Sequence, residues 1–313
     1  MWIMADYRLT DAETNLIFND PRMYANLPVD LSWCPVVKIQ DTVSIKDYTL
    51  TAIEGPAASK LGTHAMGVSV SKTETSRDVM SLRYKFEFNK SELAIAQRNG
   101  YAMVKSNLRV GLEHMNKVIA RVLFQGALSH ERMNISGMLD VGEDTAGVAD
   151  GWDTATKPVA YFMELFNDMV ANSYAGPYTL ILSWNLMSGM KSLNAAAGQS
   201  HEAIIRPFLA GPNGEAGNIV YADNGAYAAT NPLPLPAATA TDGVAILCAP
   251  SSENMHMAQV TNGIEISPLE FDRDTNMYST FIEWRGTPVF RGATTASAGS
   301  APYIVFEPDV NLA

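Results

Sequence analysis

The clearest structural pattern in the chain lies in residues 80–139, MSLRYKFEFNKSELAIAQRNGYAMVKSNLRVGLEHMNKVIARVLFQGALSHERMNISGML. Apolar and polar side chains alternate over residues 80–88, which predicts a strand with one buried face. Asn89 and Glu92 then fit a capping box at the start of a short helix. Over residues 103–124 apolar side chains recur every three or four positions, so an amphipathic helix of about 33 Å is expected. The segment therefore predicts a strand, a short helix and a long helix in direct succession.

The two regions before this segment have little core of their own. Residues 1–40 contain three prolines, which break any long helix and predict an extended arm. Residues 41–80 are rich in Thr, Ser, Gly and Lys and contain alternating stretches, which predict a long two-stranded hairpin. Because an isolated hairpin is marginally stable in water, this excursion is expected to lie against something else, such as another subunit.

The region after the segment has two parts. Residues 145–250 combine short apolar helices and strands, with Pro158 in the first turn of a helix, and predict an α/β domain. The Pro-, Ala- and Thr-rich residues 226–242 are expected to form a loop at its tip. Residues 251–313 return to long strands, NGIEISPLEF and MYSTFIEWRGTPVF, joined by a turn at DRDTN. This ribbon is expected to pack its apolar face on the long helix.

Composition excludes several classes of protein. A chain of 313 residues with 47% hydrophobic content can bury a large ordered core. Its formal charge of −11 and its lack of basic runs argue against a protein built to neutralise phosphates. Cys34 and Cys248 lack metal-ligand spacing, so two buried thiols in a reducing compartment are expected. Neither a signal peptide nor a run of 18 apolar residues is present, so a soluble intracellular protein without membrane contact is expected.

Three fragments imitate catalytic or zinc motifs. Those at His130 and His201 each begin an HExxH pattern but lack the second histidine that zinc binding requires. Ser188 and Lys191 fit the S-x-x-K pattern of serine acyl-transferases, but its companion elements are absent. Packing or surface roles are therefore expected for all four residues.

Residues 272–283 imitate a calcium loop, with oxygen-bearing side chains at the ligand positions. Met277 stands where the sharp turn of such a loop needs glycine. A hairpin turn capped by its own Asp and Asn side chains is the expected structure. No P-loop, dinucleotide fingerprint or GxSxG elbow occurs. No catalytic residue, cofactor site or metal site is therefore predicted, although catalytic residues distant in sequence would leave no such pattern.

The order of these elements resembles that of the major capsid proteins of tailed phages. Their shell fold is the Hong Kong 97 type, which the encapsulin nanocompartments share. The likeness covers nearly the whole chain and is most specific at FEFNKSEL and at LFQG followed by ISGML. These stretches look like the entry to the family's spine helix and its glycine-marked exit. The resemblance implies an α+β fold with an N-terminal arm, an extended hairpin loop, a peripheral domain with a long spine helix, and an α/β axial domain.

The resemblance also implies a division of the chain. Residues 1–40 would be the arm, and residues 41–80 the extended loop that overlaps a neighbouring subunit. Residues 81–144 and 251–313 would form the peripheral domain. Residues 145–250 would form the axial domain, which gathers around five-fold and six-fold centres.

The function implied by the resemblance is structural and not enzymatic. It is that of a major capsid protein of a tailed virus of bacteria or archaea, which binds itself in pentamers and hexamers of an icosahedral shell. Such a shell encloses double-stranded DNA without sequence-specific binding, and scaffolding, portal or decoration proteins are further partners of the family. The expected location is the virion capsid, assembled in the host cytoplasm.

Two alternatives remain. An encapsulin has the same fold, but the paired-arginine stretch that encapsulins usually carry early in the chain is missing here. An intracellular α/β enzyme would fold the loop at residues 41–80 over a pocket as a lid, whereas a shell protein would let it protrude. For the shell, Glu54, Lys60, Arg77 and Asp78 are predicted to form ion pairs between subunits. Solvated charges are the alternative for these four residues.

Overall fold

The structure is a computed structural model. It describes residues 31–52, 70–98, 103–127, 133–144, 152, 157–194, 196–222, 224–225, 235–236, 242–261, 263–291 and 301–311. The described helices are α1 (Lys90–Arg98), α2 (Met103–Gln125), α3 (Met138–Val141), α4 (Lys157–Ala171), α5 (Met187–Lys191) and α6 (His201–Ile205). Short 3-10 turns cover Trp184–Leu186 and Arg206–Leu209. Most of the predicted arm lies outside the described residues.

The strands, in chain order, are β1 (Val36–Lys38), β2 (Ser44–Ala52), β3 (Val70–Asp78), β4 (Met80–Asn89), β5 (Glu143–Asp144), β6 (Thr179–Ser183), β7 (Leu193–Asn194), β8 (Gln199–Ser200), β9 (Asn218–Ala222), β10 (Asn224–Gly225), β11 (Leu235–Pro236), β12 (Asp242–Cys248), β13 (Met255–Gln259), β14 (Glu265–Ile266), β15 (Glu270–Asp272), β16 (Met277–Phe290) and β17 (Ile304–Asn311). They form a six-stranded sheet, a five-stranded sheet and three two-stranded ribbons.

The six-stranded sheet is organised around the long strand β16. Strand β4 pairs antiparallel with β16 over ten residues, from Met277↔Asn89 to Gly286↔Met80. On the other side of β16 lie β15, β14 and β13 in succession, and β1 pairs parallel with β13. The alternating burial along β4 and the bounds of α1 and α2 confirm the strand, short helix and long helix predicted from the sequence.

Helix α2 packs closely on this sheet at Gly111. A Cβ atom at Gly111 would lie 2.3 Å from Cζ of Phe86 and 3.2 Å from Cδ1 of Ile282. Phe86 lies on β4 and Ile282 on β16, so the helix crosses both strands at its glycine. The apolar face predicted for the MYSTFIEWRGTPVF strand therefore does face the long helix.

The exit from α2 is built from two glycines in backbone contact. Gly126 ends the helix with a φ of +72°, a left-handed conformation that glycine adopts without strain. A Cβ atom at Gly137 would lie 2.3 Å from the backbone nitrogen of Gly126. The backbone N–H of Gly137 donates to Oδ2 of Asp140 at 2.7 Å, and the N–H of Ala127 donates to the carbonyl of Ile135 at 2.9 Å. The LFQG and ISGML stretches thus form a single close crossing.

The five-stranded sheet has the order β5-β17-β12-β6-β9. Residues 243–248 of its central strand are all buried, and α4 packs on the sheet with Phe162, Leu165 and Met169 buried. Strand β17 pairs with β12 here, although the sequence-based division grouped residues 251–313 with the peripheral domain. The division of the chain into domains stays a prediction.

Three local elements of the structure differ from, or add detail to, the elements predicted from the sequence. The predicted strand NGIEISPLEF is split into β14 and β15, because Pro268 has no N–H for the ladder. Ser267 instead accepts a hydrogen bond at Oγ from the N–H of Phe281 at 2.8 Å. One of the short helices predicted in residues 145–250, WNLMSGMKSL, consists of a 3-10 turn followed by the short α5. Oδ1 of Asp272 accepts a hydrogen bond from the N–H of Asp274 at 3.0 Å, which confirms the predicted hairpin turn at DRDTN. Most of the predicted Pro-rich loop at residues 226–242 lies outside the described residues.

Both cysteines are buried and free, as predicted. Burial raises the pKa of the Cys34 thiol to about 12 and raises the pKa of Cys248 well above its usual value. Both sulfurs therefore stay protonated and unreactive. Among the helices that the structure describes, none is both long and apolar enough to cross a membrane.

Candidate assembly surfaces

Strands β2 and β3 form a hairpin that stands apart from both large sheets. Nine residue pairs join them, from Ser44↔Asp78 at the base to Ala52↔Val70. Within the described part of the chain neither strand pairs with any other. Nine residues of strand extend about 30 Å at 3.4 Å per residue. No described strand continues the ladder on either edge of this hairpin.

Arg77 fixes the base of the hairpin to the six-stranded sheet. Its side chain is 1% exposed, and Nη2 donates to the carbonyl oxygen of Phe290, the last residue of β16, at 2.8 Å. The guanidinium carbon also lies 6.0 Å from the centroid of the Phe290 ring. Because burying a charge is costly unless it is hydrogen-bonded, this contact ties β3 to the end of β16.

Asp78 and Asn134 make a second attachment. The N–H of Asn134 donates to Oδ2 of Asp78 at 2.7 Å, and the N–H of Asp78 donates to the carbonyl of Asn134 at 3.2 Å. Nδ2 of Asn134 donates to the carbonyl of Ser76 at 2.7 Å. Since Asn134 lies in the segment that leaves the long helix, the hairpin base is held by the spine of the protein as well as by the sheet.

The four predicted contact residues fall into two groups. Glu54 and Lys60 lie outside the described residues. Arg77 and Asp78 are both at the hairpin base, where the structure gives them partners within their own chain. Their contact with a neighbouring subunit stays a prediction. No assembly role for Asn134 was predicted from the sequence.

Two of the motif fragments singled out in the sequence meet in space beside the five-stranded sheet. Nζ of Lys191 lies 3.2 Å from Oε2 of Glu202, and Nη2 of Arg206 donates to Oε1 of Glu202 at 2.6 Å. The hydrogen bond from Arg206 lowers the pKa of Glu202, against the opposing effect of partial burial and with help from Lys191. These residues line an open cleft of about 720 Å³, whose other walls include Ser200 and Gly217.

The described residues at this cleft form no metal-binding cluster. His201 is fully buried beside it, and within the described residues neither ring nitrogen has a hydrogen-bond partner. Burial lowers the pKa of His201, so the ring is neutral near pH 7. Across the described ranges no cluster of three His, Cys, Asp or Glu side chains could hold a metal ion.

Comparison with known proteins gives a structural match without a sequence match. No protein-family model matches the chain, and no curated protein matches it in sequence. The capsid of the Myoviridae phage XM1 is similar in structure, with a TM-score of 0.61 at 12% identity over 99% of this chain and 95% of that chain. A virus-like particle from Pyrococcus furiosus has a TM-score of 0.58 at 12% identity, over 95% of this chain and 100% of that chain. The capsid of an empty GTA particle has a TM-score of 0.56 at 9% identity, over 90% of this chain and 89% of that chain.

These similarities extend over nearly the full length of both partners, so they concern the whole arrangement of elements and not one shared motif. They confirm the fold expected from the strand, the spine helix and the glycine-marked exit in residues 80–139. The chain has the fold of tailed-phage capsid proteins.

Proposed function

We propose that this chain is the major capsid protein of a tailed virus of bacteria or archaea. Copies of the chain assemble as pentamers and hexamers into an icosahedral shell that encloses double-stranded DNA. The observation that carries the proposal is the match to the XM1 capsid, which spans 99% of this chain and 95% of that one. The negative charge of −11 suits such a wall, because tight phosphate binding would hinder packaging and release of DNA.

The β2–β3 hairpin supports a role in assembly. Its base is fixed by Arg77 and Asn134, while its strands pair only with each other among the described residues. A hairpin is marginally stable alone, so a neighbouring subunit is the natural surface for it. In this proposal residues 41–80 overlap the neighbour, and Glu54 and Lys60 contribute ion pairs to that contact.

The same proposal assigns roles to the other regions. Residues 1–40 form an arm that reaches across neighbours, and residues 81–144 with 251–313 form the peripheral domain. Residues 145–250 form the axial domain around the five-fold and six-fold centres. A closed shell multiplies many weak contacts, so no single interface has to be strong.

Electron microscopy of the purified protein tests the proposal. The protein is separated by size-exclusion chromatography, and the earliest peak is imaged in negative stain. Closed particles, or rings of five and six subunits, are the expected result. A chain that stays monomeric or dimeric at all concentrations and with crowding agents or salt would refute the shell and favour an enzyme.

A nanocompartment shell is the second candidate. It is favoured by the virus-like particle of Pyrococcus furiosus, which matches over 100% of that chain. The content of particles made in cells separates the two. Particles from infected cells that hold nuclease-protected DNA indicate a virus, whereas particles that hold a folded enzyme indicate a compartment.

Deletion of the hairpin tests its role in assembly. A variant lacking residues 50–72 is expected to remain a soluble, folded subunit that forms no shells, because its attachments at Arg77 and Asp78 lie outside the deletion. A variant in which a Gly-Ser segment of equal length replaces residues 50–72 is the matched control for chain length. Shells of normal size from either variant would contradict the role proposed for the loop.

A further inference from the structure

One edge of the five-stranded sheet gathers carboxylates. Glu143 lies on the edge strand β5, and Glu164 and Asp168 lie one turn apart on α4; together these three residues are called the acidic edge. Nδ2 of Asn172 donates to Oε2 of Glu143 at 2.8 Å. In the described part of the chain, none of the three carboxylates forms an ion pair with a Lys or Arg side chain.

The acidic edge is unfavourable within a single copy. Asp168 lies in the last turn of α4, which has no basic residue, so its charge faces the negative end of the helix dipole. Glu164 and Asp168 are a like-charge pair at i and i+4, which destabilises a helix. Partial burial and, second, the charge of Glu143 raise the pKa of Asp168. A cation supplied from outside would relieve all three effects.

The opposite edge of the same sheet has surplus positive charge. Lys191 and Arg206, called here the basic edge, both contact the single carboxylate of Glu202. Their side chains are 60% and 57% exposed, so both retain donors for a further partner. The cleft they line includes Gly217, which directly precedes the edge strand β9.

Exposed apolar side chains accompany the charges on both edges. Leu193 and Phe208 are 67% and 42% exposed beside the basic edge, and Val170 is 51% exposed beside Asp168. Apolar contacts surrounded by complementary charges are the usual composition of a protein interface. Each edge therefore offers apolar contact area as well as charge.

The two edges are joined through the aromatic contact between Phe166 of α4 and Phe208, whose ring centroids are 5.8 Å apart, while their outer strands lie on opposite sides of the sheet. Strands β5 and β9 are the outer strands of the sheet, and four steps of about 4.8 Å place them roughly 19 Å apart. A surface with one sign of charge at one end and the opposite sign at the other is complementary to a second copy placed head to tail. Repetition of such a contact closes a ring when the rotation per copy allows it.

We propose that the basic edge of one copy binds the acidic edge of the next, so that Lys191 and Arg206 approach Glu164 and Asp168 of a second copy. This contact rests on the proposed shell function and specifies which surfaces join neighbours within a ring. The occupant is another copy of this chain, because the chain itself supplies both complementary surfaces in fixed positions.

Charge reversal at each edge tests the contact. Asp168→Lys and Arg206→Glu, each made alone, replace an attractive charge pair by a repulsive one at every interface and are expected to lower the yield of rings and shells at least tenfold. The doubly substituted chain restores opposite charges and is expected to recover assembly. A mixture of the two single variants can form only alternating rings, so it is expected to give even-membered rings and no pentamers.

Matched controls separate this contact from folding and from the proposed function. Glu253→Lys and Arg273→Glu make the same charge changes at exposed positions away from both edges and are expected to assemble as the unaltered chain does. Circular dichroism establishes that the edge variants fold. If the unaltered chain assembles and either edge variant assembles equally well, the edge contact is refuted and the shell stands. The edge contact is also refuted if both single variants fail to assemble and the double variant does not recover assembly. An unaltered chain that never assembles overturns both the edge contact and the shell function.

Discussion

Substitution of Gly126 by alanine probes the crossing that ends the long helix. Gly126 has a φ of +72°, and a Cβ atom there would lie 2.4 Å from the carbonyl oxygen of Ile135 and 2.7 Å from the nitrogen of Gly137. Both neighbouring atoms belong to the backbone, so they cannot turn away as the end of a side chain can. The substitution therefore combines left-handed strain with a steric clash.

The two contributions can be separated with other glycines. Gly198 has a φ of +66° with nothing within 4 Å of an added Cβ, so Gly198→Ala reports the strain alone, roughly 1–2 kcal/mol. A forced backbone shift costs about 1–3 kcal/mol more, so Gly126→Ala is expected to cost about 2–5 kcal/mol. Gly137→Ala, where the φ is not left-handed, reports the clash alone. Replacing glycine by alanine lowers the entropy of the unfolded chain by a similar amount at each position, so this effect cancels when the variants are compared.

Urea unfolding of the unassembled subunit measures these differences. Circular dichroism at low protein concentration gives the midpoint and slope for each variant, and low concentration avoids stabilisation by assembly. Gly126→Ala is expected to be less stable than Gly198→Ala by at least about 1 kcal/mol. Equal losses of unfolding free energy in the two variants would show that the backbone contact at Gly126 does not affect stability, which would refute the predicted clash.

Three further predictions concern the hairpin base, the buried histidine and the helix contact. Asn134→Ala removes the hydrogen bond to the Ser76 carbonyl and should speed hydrogen exchange in β3 without changing exchange in β12. Burial lowers the pKa of His201 below its usual 6.5, so the unfolded chain binds the proton first and stability falls as pH drops below about 6.5. His201→Leu should reduce this loss in urea titrations at pH 7.5 and 5.5. Gly111→Ala should destabilise the subunit by about 1 kcal/mol in the same assay, because its clash with Phe86 outweighs the gain in helix propensity.

Local sequence patterns predicted two kinds of element. These are elements with one buried face and elements that contact residues close to them in the sequence. The alternation in residues 80–88 marks a strand with a covered face, and β4 has that burial pattern. The glycines at 126 and 137 marked the helix exit because their backbone contact excludes any side chain. The sequence did not predict that β17 pairs with β12, because its apolar run suits either sheet and the pairing is set by tertiary packing.

The candidate surfaces were less visible in the sequence. Arg77 was identified as a charged loop residue, yet its acceptor is a backbone carbonyl 213 residues away, and backbone acceptors leave no trace in composition. Lys191 and Glu202 belong to two unrelated motif fragments, and only the packing of α5 on α6 brings them to 3.2 Å. Charge complementarity between the two sheet edges likewise depends on strand order, which periodicity does not determine.

The placement of β17 has a consequence for synthesis of the protein. Strand β12 pairs with β6 on one side and with β17 on the other, and residues 304–311 leave the ribosome after all of β12. Until then the central strand has one bare edge, so the sheet that carries the acidic and basic edges is incomplete. Under the proposed ring contact, nascent chains would lack a finished pair of edges, so only fully translated copies would enter a ring.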